Sequence, residues 1–280
     1  MAALDRISFE FFPPKTADGE EKLVAVRERL AAARPEFFSV TYGAGGSTRD
    51  RTADLVLRIR GEGHDAAPHL SIGADDGDTI RALVDRYRAA GVRRIVALRG
   101  DVPSGMGGRS GVRYAIELVR LLREHAGDHF HIEVAAYPEV HPDAPDPDAD
   151  LHHFAEKVAA GANGAITQYF YNAEAYFDFL DRADAAGVTV PIIPGVMPIT
   201  NVEGLMRFSN ACGADIPRWI RLRLEQYQDD PAAVAAFGLD VVTALCERLL
   251  AGGAPGLHFY SMNQSKPSLE LLRRLGQPLE

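Results

Sequence analysis

The sequence predicts an α/β protein in which eight strand-and-helix units close into one barrel. Apolar segments of strand length alternate eight times with helical patterns, an order typical of parallel strands joined by helices. Three predicted helices end in Ala-Gly, and glycine allows the left-handed backbone that closes a helix. Eight units favour a closed (β/α)8 barrel, or TIM barrel, because closure leaves no strand edge exposed. A doubly wound open sheet is the alternative.

The elements follow from the pattern of apolar residues, taken in order. Most predicted strands are largely apolar in their body and polar where they end, and Pro13-Pro14 stops the first. We predict strands at residues 7–12, 37–43, 68–73, 94–99, 131–138, 164–171, 190–197 and 256–263. We predict helices at about 17–33, 48–61, 76–90, 112–125, 148–160, 174–186, from 202, from 217, at 231–250 and at 268–275. No linker or low-complexity segment interrupts this order, so residues 1–280 are predicted to form a single domain.

Composition excludes several classes of function. The chain has 280 residues and a formal net charge of -9, so no basic surface indicates nucleic acid or an anionic membrane as a partner. No signal peptide or membrane span is recognisable, which predicts a cytoplasmic protein. His129 and His131 have the spacing of a metal pair but lie at the start of a strand, away from the active face, so no metal is predicted. None of the four lysines falls within a predicted strand, which disfavours a Schiff base.

The C-terminal strand ends of a barrel form its active face, and here they carry polar residues. Glu10 lies between Phe9 and Phe11, and a carboxyl group among aromatic rings keeps its proton near neutral pH, which suits a general acid. The alternative is a glutamate paired with an arginine. Arg99-Gly100-Asp101 suits a phosphate or carbonyl beside a flat ligand, or else a structural ion pair. The residues at these ends are Glu10, Thr41, Tyr42, His69, Arg99, Asp101, Tyr137, His141, Gln168, Tyr260 and Asn263.

Several longer motifs resemble one family. They are Ser8-Phe-Glu-Phe-Phe-Pro-Pro14, Val40-Thr-Tyr-Gly43, Pro68-His-Leu70, Ala97-Leu-Arg-Gly-Asp101, Ala135-Ala-Tyr-Pro-Glu-Val-His-Pro142, Gly161-Ala-Asn-Gly-Ala-Ile-Thr-Gln168, Ile193-Pro-Gly195 and His258-Phe-Tyr260. In this order, over residues 7–275, they resemble methylenetetrahydrofolate reductase of the bacterial type that has a catalytic domain only. The resemblance implies a TIM barrel with bound FAD and a homo-oligomer. It also implies that NADH or NADPH, with NADH favoured, reduces 5,10-methylenetetrahydrofolate to 5-methyltetrahydrofolate in two hydride transfers, which supplies methyl groups for methionine synthesis.

The resemblance also implies roles for single residues. Glu10 matches the acid that assists opening of the five-membered ring, and Asp101 matches an aspartate near the flavin and the pterin. Substrate and nicotinamide contacts match Thr41, Asp101, Gln168, Phe208 and Tyr260. FAD contacts match Tyr42, Ala44, His69, Arg99, Gly100, Asp101, Ala115, Tyr137, His141, Ala144, Asp150 and Lys157.

Some positions depart from the family pattern. Gln264 stands where an arginine often helps to bind folate, and Lys266 is a candidate to replace it. Near the FAD tail, His153 and Glu156 stand where asparagine and arginine are often found. Glu156 is unfavourable beside a diphosphate, so we expect either that the tail lies differently or that FAD binds more weakly. A flavin-free folate reductase or a pterin-binding methyltransferase on the same barrel stays an alternative, as does a folate- or flavin-binding protein without turnover.

Overall fold

A computed structural model describes residues 4, 6–43, 48–71, 76–99 and 114–279 of the chain. Strands and helices alternate throughout these residues. The strands are β1 (Ile7–Phe11), β2 (Phe37–Val40), β3 (Ala66–Ser71), β4 (Arg94–Leu98), β5 (His131–Ala136), β6 (Gly164–Thr167), β7 (Ile192–Ile193), β8 (Gly195–Val196) and β9 (Leu257–Tyr260). The helices are α1 (Ala17–Ala31), α2 (Arg49–Gly61), α3 (Gly77–Ala89), α4 (Ala115–Ala126), α5 (Pro147–Ala159), α6 (Ala173–Ala185), α7 (Val202–Cys212), α8 (Arg218–Gln226), α9 (Pro231–Ala251) and α10 (Lys266–Arg274).

The strands form a barrel, as predicted, and not an open sheet. Every strand pair is parallel, and β1 pairs with both β2 and β9. The predicted seventh strand appears as two short strands, β7 and β8, because Pro194 between them has no backbone N–H for the ladder. Since β7 pairs with β6 and β8 pairs with β9, the chain itself completes the ring at this proline.

Helix ends follow the local chemistry of the sequence. The glycines of the three Ala-Gly pairs, Gly91, Gly161 and Gly187, have φ values of 74°, 115° and 79°, which are left-handed as predicted. The last helix begins two residues before its predicted start, at Lys266. Pro267 is tolerated there because the first turn of a helix needs no hydrogen bond from its backbone N–H groups. Among the described helices, none is long and apolar enough to cross a membrane.

Side chains of the strands alternate between two apolar regions. Phe9 and Phe38 point outward and pack in the large core between the strands and the helices. A small separate cluster of Phe37, Val96 and Ile166 fills the middle of the barrel. The barrel is therefore a packed core, and ligands have access to its end rather than to its interior.

An ion-pair network closes the N-terminal end of the barrel. Arg94 pairs with both Glu36 and Glu133, and its guanidinium lies 4.4 Å from the centre of the Phe37 ring. Burial alone would raise the pKa of Glu133, but a hydrogen bond from His131 and the charge of Arg94 hold it below its ordinary value. This end is occupied by paired charges, so the C-terminal strand ends are left as the face for chemistry.

Candidate active site

Glu10 lies near the C-terminal end of β1 and contacts two histidines of other strands. Its Oε2 atom is 3.3 Å from Nε2 of His69 on β3 and 3.8 Å from Nε2 of His258 on β9. The glutamate side chain is 18% exposed, whereas both histidines are buried. Burial lowers the pKa of His69, although the charge of Glu10 opposes this shift. In this site, one partly accessible carboxyl group therefore lies beside two buried imidazole rings.

The prediction that phenyl rings surround the Glu10 carboxyl group is wrong. Consecutive side chains of a strand point to opposite faces, so Phe9 and Phe11 face the helices. There, Phe9 and Phe11 stack on Phe38 with ring centres 6.1 and 5.3 Å apart. Phe12, beyond the strand, is 44% exposed. The carboxyl group of Glu10 is surrounded by polar rings and not by apolar ones.

Tyr260 lies beside Glu10, since the two residues are in register on β9 and β1. Its hydroxyl group donates a hydrogen bond of 2.7 Å to the carbonyl oxygen of Thr167. Burial and the charge of Glu10 raise the pKa of Tyr260 well above its ordinary value, so the phenol stays uncharged. Gly195 makes room for this ring, because a Cβ there would lie 2.6 Å from Cε2 of Tyr260.

A second group of predicted residues follows β4 and β5. Arg99 forms an ion pair with Asp143, whose backbone N–H donates to Nδ1 of His141 over 3.0 Å. The backbone N–H of His141 donates to Asp150 over 2.8 Å, and its ring centre lies 4.6 Å from that of Tyr137. Burial and the charge of Arg99 lower the pKa of His141. The structure thus brings four predicted FAD residues into one set of contacts, with Asp143 as an additional member.

Lys157 and the start of α4 add positive charge beside this group. The ammonium group of Lys157 donates to the carbonyl oxygen of Ala135 over 2.6 Å, and burial lowers its pKa to about 8. Helix α4 begins at Ala115, and the side chain of the preceding Tyr114 makes no cap hydrogen bond to the first turn of the helix. Free N–H groups at a helix start favour an anion. Together with Arg99, this donor set fits a diphosphate.

The two departures near the predicted FAD tail contact each other on α5. His153 Nδ1 is 3.3 Å from a carboxylate oxygen of Glu156, and both side chains are about half exposed. The ring of Tyr114 stacks on His153 with centres 5.6 Å apart. The α5 pair therefore lies next to the start of α4. The predicted weakening of FAD binding by Glu156 stays a prediction.

Comparison with known proteins identifies the family. The family model described as methylenetetrahydrofolate reductase matches residues 3–276. The 5,10-methylenetetrahydrofolate reductase of Pectobacterium carotovorum subsp. carotovorum is 41% identical over 271 residues, which cover 96% of this chain and 90% of that protein. The chain belongs to the methylenetetrahydrofolate reductase family.

A plant relative and a solved structure extend the comparison. Methylenetetrahydrofolate reductase (NADH) 1 of Arabidopsis thaliana is 36% identical, and the alignment covers 96% of this chain and 48% of that one. A solved structure from Clostridium thermocellum, described as binding two copies of 5-methyl-5,6,7,8-tetrahydrofolic acid, matches with a TM-score of 0.67 at 18% identity. It covers 97% of this chain and 94% of that chain, and it shares the fold.

The remaining residues expected from methylenetetrahydrofolate reductases lie after the strands or on α7. The carbonyl oxygen of Thr41 accepts a hydrogen bond of 2.8 Å from Thr52. Oε1 of Gln168 accepts one of 3.0 Å from the backbone N–H of Tyr169. Phe208 on α7 is 39% exposed, so an apolar ring is available there. These contacts do not test the predicted roles of the three residues in binding the folate and the nicotinamide.

Several other predictions also stay predictions. Ala44, Gly100 and Asp101 lie outside the described residues. Tyr42 is half-buried, and the backbone N–H of Ala144 donates to the carbonyl oxygen of His141 over 2.9 Å. Gln264 is exposed, and Lys266 lines a cavity of about 250 Å³ that also includes Ile199 and Leu239.

Two residues at the site, Ser8 and His258, were not assigned a role from the sequence. Ser8 precedes Glu10 by two residues, and His258 precedes Tyr260 by two. Residues two apart in a strand lie on the same face. The two-residue period of a strand could therefore have identified Ser8 and His258 once Glu10 and Tyr260 were chosen as site residues.

Proposed function

We propose that this protein reduces 5,10-methylenetetrahydrofolate to 5-methyltetrahydrofolate with electrons from NADH or NADPH. The family match over residues 3–276 and the names of the relatives support this reaction. The observation that carries the proposal is the Glu10 carboxyl group, which is accessible at the active face and contacts His69 and His258. The name of the plant relative supports NADH as the donor.

FAD is the proposed cofactor, because the donors after β4 and β5 fit its diphosphate. Arg99, Lys157 and the N-terminus of α4 supply the positive charge that a diphosphate requires. When bound, FAD would supply the hydride chemistry that links the nicotinamide to the folate. The residues proposed to hold it are Tyr42, Ala44, His69, Arg99, Gly100, Asp101, Ala115, Tyr137, His141, Ala144, Asp150 and Lys157.

The proposed task of Glu10 is proton transfer to the substrate. Its carboxyl group gives a proton to the amine nitrogen that leaves when the five-membered ring opens, so the remaining methylene group becomes an electrophilic iminium. Proton transfer of this kind contributes about 10²–10⁴ to a rate. Tyr260 stays a neutral hydrogen-bond donor because its pKa is raised. Thr41, Asp101, Gln168, Phe208 and Tyr260 are proposed to position the folate and the nicotinamide.

The test follows the two half-reactions separately. Purified protein should be yellow, NADH should bleach the flavin absorption, and 5,10-methylenetetrahydrofolate should restore it. Glu10→Gln should keep the reduction by NADH and slow reoxidation by the folate about 10²–10⁴-fold. Glu139→Gln, which changes another half-buried glutamate beyond a strand end, is the matched control and should leave both half-reactions unchanged.

Three outcomes would count against the proposal. Normal folate reduction by Glu10→Gln would remove the acid role. Colourless protein whose activity does not respond to added FAD would favour the flavin-free reductase. Binding of folate or flavin without a single turnover would indicate a binding protein. We also propose a homo-oligomer in the cytoplasm that supplies methyl groups for methionine synthesis, and light scattering tests the oligomer.

A further inference from the structure

Ser8 and His258 form a buried polar pair beneath Glu10. The Ser8 hydroxyl oxygen lies 2.7 Å from Nδ1 of His258, and both residues are almost completely buried. The imidazole is held in place by neighbouring rings. It stacks on Phe37 with ring centres 6.2 Å apart and meets Tyr260 edge-on at 5.3 Å. A hydrogen bond in such a rigid, dry position specifies how the ring is protonated.

The opposite nitrogen of His258 faces the acid. Its Nε2 atom has no hydrogen-bond partner among the described residues, and it lies 3.8 Å from Oε2 of Glu10. His69 Nε2 approaches the same oxygen at 3.3 Å, also without a hydrogen bond of good geometry. Buried polar atoms rarely stay unpaired in a folded protein. The carboxyl group of Glu10 is the polar group that can satisfy both imidazoles.

Hydrogen-bond accounting selects one tautomer of His258. Within the described part of the chain, the Ser8 hydroxyl makes no hydrogen bond other than the one with Nδ1. A hydroxyl group satisfies its hydrogen only by donating it, so Ser8 donates to Nδ1. A neutral imidazole that accepts at Nδ1 carries its proton on Nε2. That N–H is on the side of the ring that faces Oε2 of Glu10.

We propose that Ser8 and His258 are positioning residues for Glu10. The serine hydroxyl sets the imidazole tautomer, and the Nε2–H group then orients the carboxyl group and stabilises the carboxylate that remains after proton transfer. In that step the O–H bond of Glu10 breaks and an N–H bond forms on the substrate, while His258 and Ser8 keep their protons. The inference rests on the proposed general-acid role of Glu10.

Three titratable side chains of the described strands lie close to Glu10. The described titratable groups that face it are His69 from β3 and His258 and Tyr260 from β9. His69 is uncharged near neutral pH because burial lowers its pKa, and Tyr260 is uncharged because burial and Glu10 raise its pKa. From β2, the residue in register with Glu10 is Ser39, which does not titrate. His258 is thus the neighbour whose proton position Ser8 controls.

The first test measures single-turnover reoxidation of the reduced flavin by 5,10-methylenetetrahydrofolate as a function of pH. Loss of a general acid's proton ends activity at high pH. Ser8→Ala frees the imidazole tautomer and weakens the support that the Nε2–H group of His258 gives to the carboxylate formed by proton transfer. We expect the alkaline limb to move up by about 0.5 to 1 pH unit. Reduction of the flavin by NADH should not change.

Two variants make this test specific. Ser39→Ala removes a buried hydroxyl group that has no hydrogen-bond partner among the described residues. Ser39 is in register with Glu10, and its removal should leave the pH profile unchanged. His258→Gln keeps an amide N–H near the place of Nε2, so its alkaline limb should stay close to that of the wild type. His258→Phe has no such N–H, and its alkaline limb should move at least as far as that of Ser8→Ala. A purely structural role for Ser8 would lower the rate at all pH values without moving the limb.

The second test does not depend on turnover. Nitrogen NMR of histidine-labelled protein should show His258 protonated at Nε2 and not at Nδ1, with the signal assigned through His258→Gln. In Ser8→Ala, the Nδ1 tautomer should appear. A wild-type His258 protonated at Nδ1, or an unmoved limb in Ser8→Ala with intact folate reduction, overturns this inference alone. Wild-type protein that reduces no folate at any pH overturns the proposed function together with it.

Discussion

Gly195→Ala should destabilise the protein through a collision that can be specified atom by atom. The new Cβ would lie 2.3 Å from the carbonyl oxygen of Thr167 and 2.6 Å from Cε2 of Tyr260. These are the two partners of a 2.7 Å hydrogen bond, so either the ring or the strand must move. Overpacking typically costs about 1–3 kcal/mol, and the loss of a hydrogen bond costs about 1 kcal/mol. We therefore expect a loss of about 2–4 kcal/mol.

Urea unfolding and thermal melting followed by circular dichroism would measure this loss. For a chain of this size, the melting temperature should fall by about 4–8 °C. Gly61→Ala is the matched control, because a Cβ there meets nothing within 4 Å and the change should shift stability by less than about 1 kcal/mol. Tyr260→Phe removes the same hydrogen bond. The double variant should therefore lose less stability than the sum of the losses measured for the two single variants. A Gly195→Ala protein as stable as the wild type would refute the reasoning.

Two further predictions concern buried charges. Lys157, whose pKa burial lowers to about 8, must be protonated to favour a diphosphate, so apo protein should bind FAD about tenfold more weakly per pH unit above pH 8. Lys157→Met should remove this dependence in fluorescence titrations at pH 7 and 9, and an unchanged slope would exclude Lys157. The pKa of Glu133 is lowered in the folded state, so its stabilising effect is present above its ordinary value of 4.5 and lost as pH falls through the lower folded value. Glu133→Gln should lower the free energy of unfolding by about 3 kcal/mol at pH 7. Urea unfolding at several pH values should also show a weaker loss of stability in acid for this variant, and a loss as steep as in the wild type would contradict the assignment.

Local signals in the sequence predicted the elements well. The Ala-Gly pairs ended helices with left-handed glycines, and eight apolar segments became the strands of a parallel barrel. The split of the seventh strand at Pro194 was not predicted, although the missing N–H of proline is visible in the sequence. The start of α10 at Lys266 was not predicted, although Pro267 suits the first turn of a helix.

The site was predicted less completely, and Glu10 illustrates why. Its neighbours along the chain, Phe9 and Phe11, were taken as its surroundings, but a strand turns adjacent side chains to opposite faces. The groups that contact the carboxylate, His69 and His258, come from strands 59 and 248 residues away along the chain. Contacts between such distant residues depend on strand register and barrel closure, which no local pattern reports.

The sequence by itself determined the order of strands and helices, the face on which polar residues gather, and the family. Those properties follow from periodicity, helix-ending residues and motifs, all of which act over a few neighbouring positions. Only the tertiary structure decided which residues surround Glu10, that Gly195 makes room for Tyr260, and that Ser8 pairs with His258. The reason is physical: parallel strands meet side by side only when the barrel closes, and that closure brings together side chains from opposite ends of the chain.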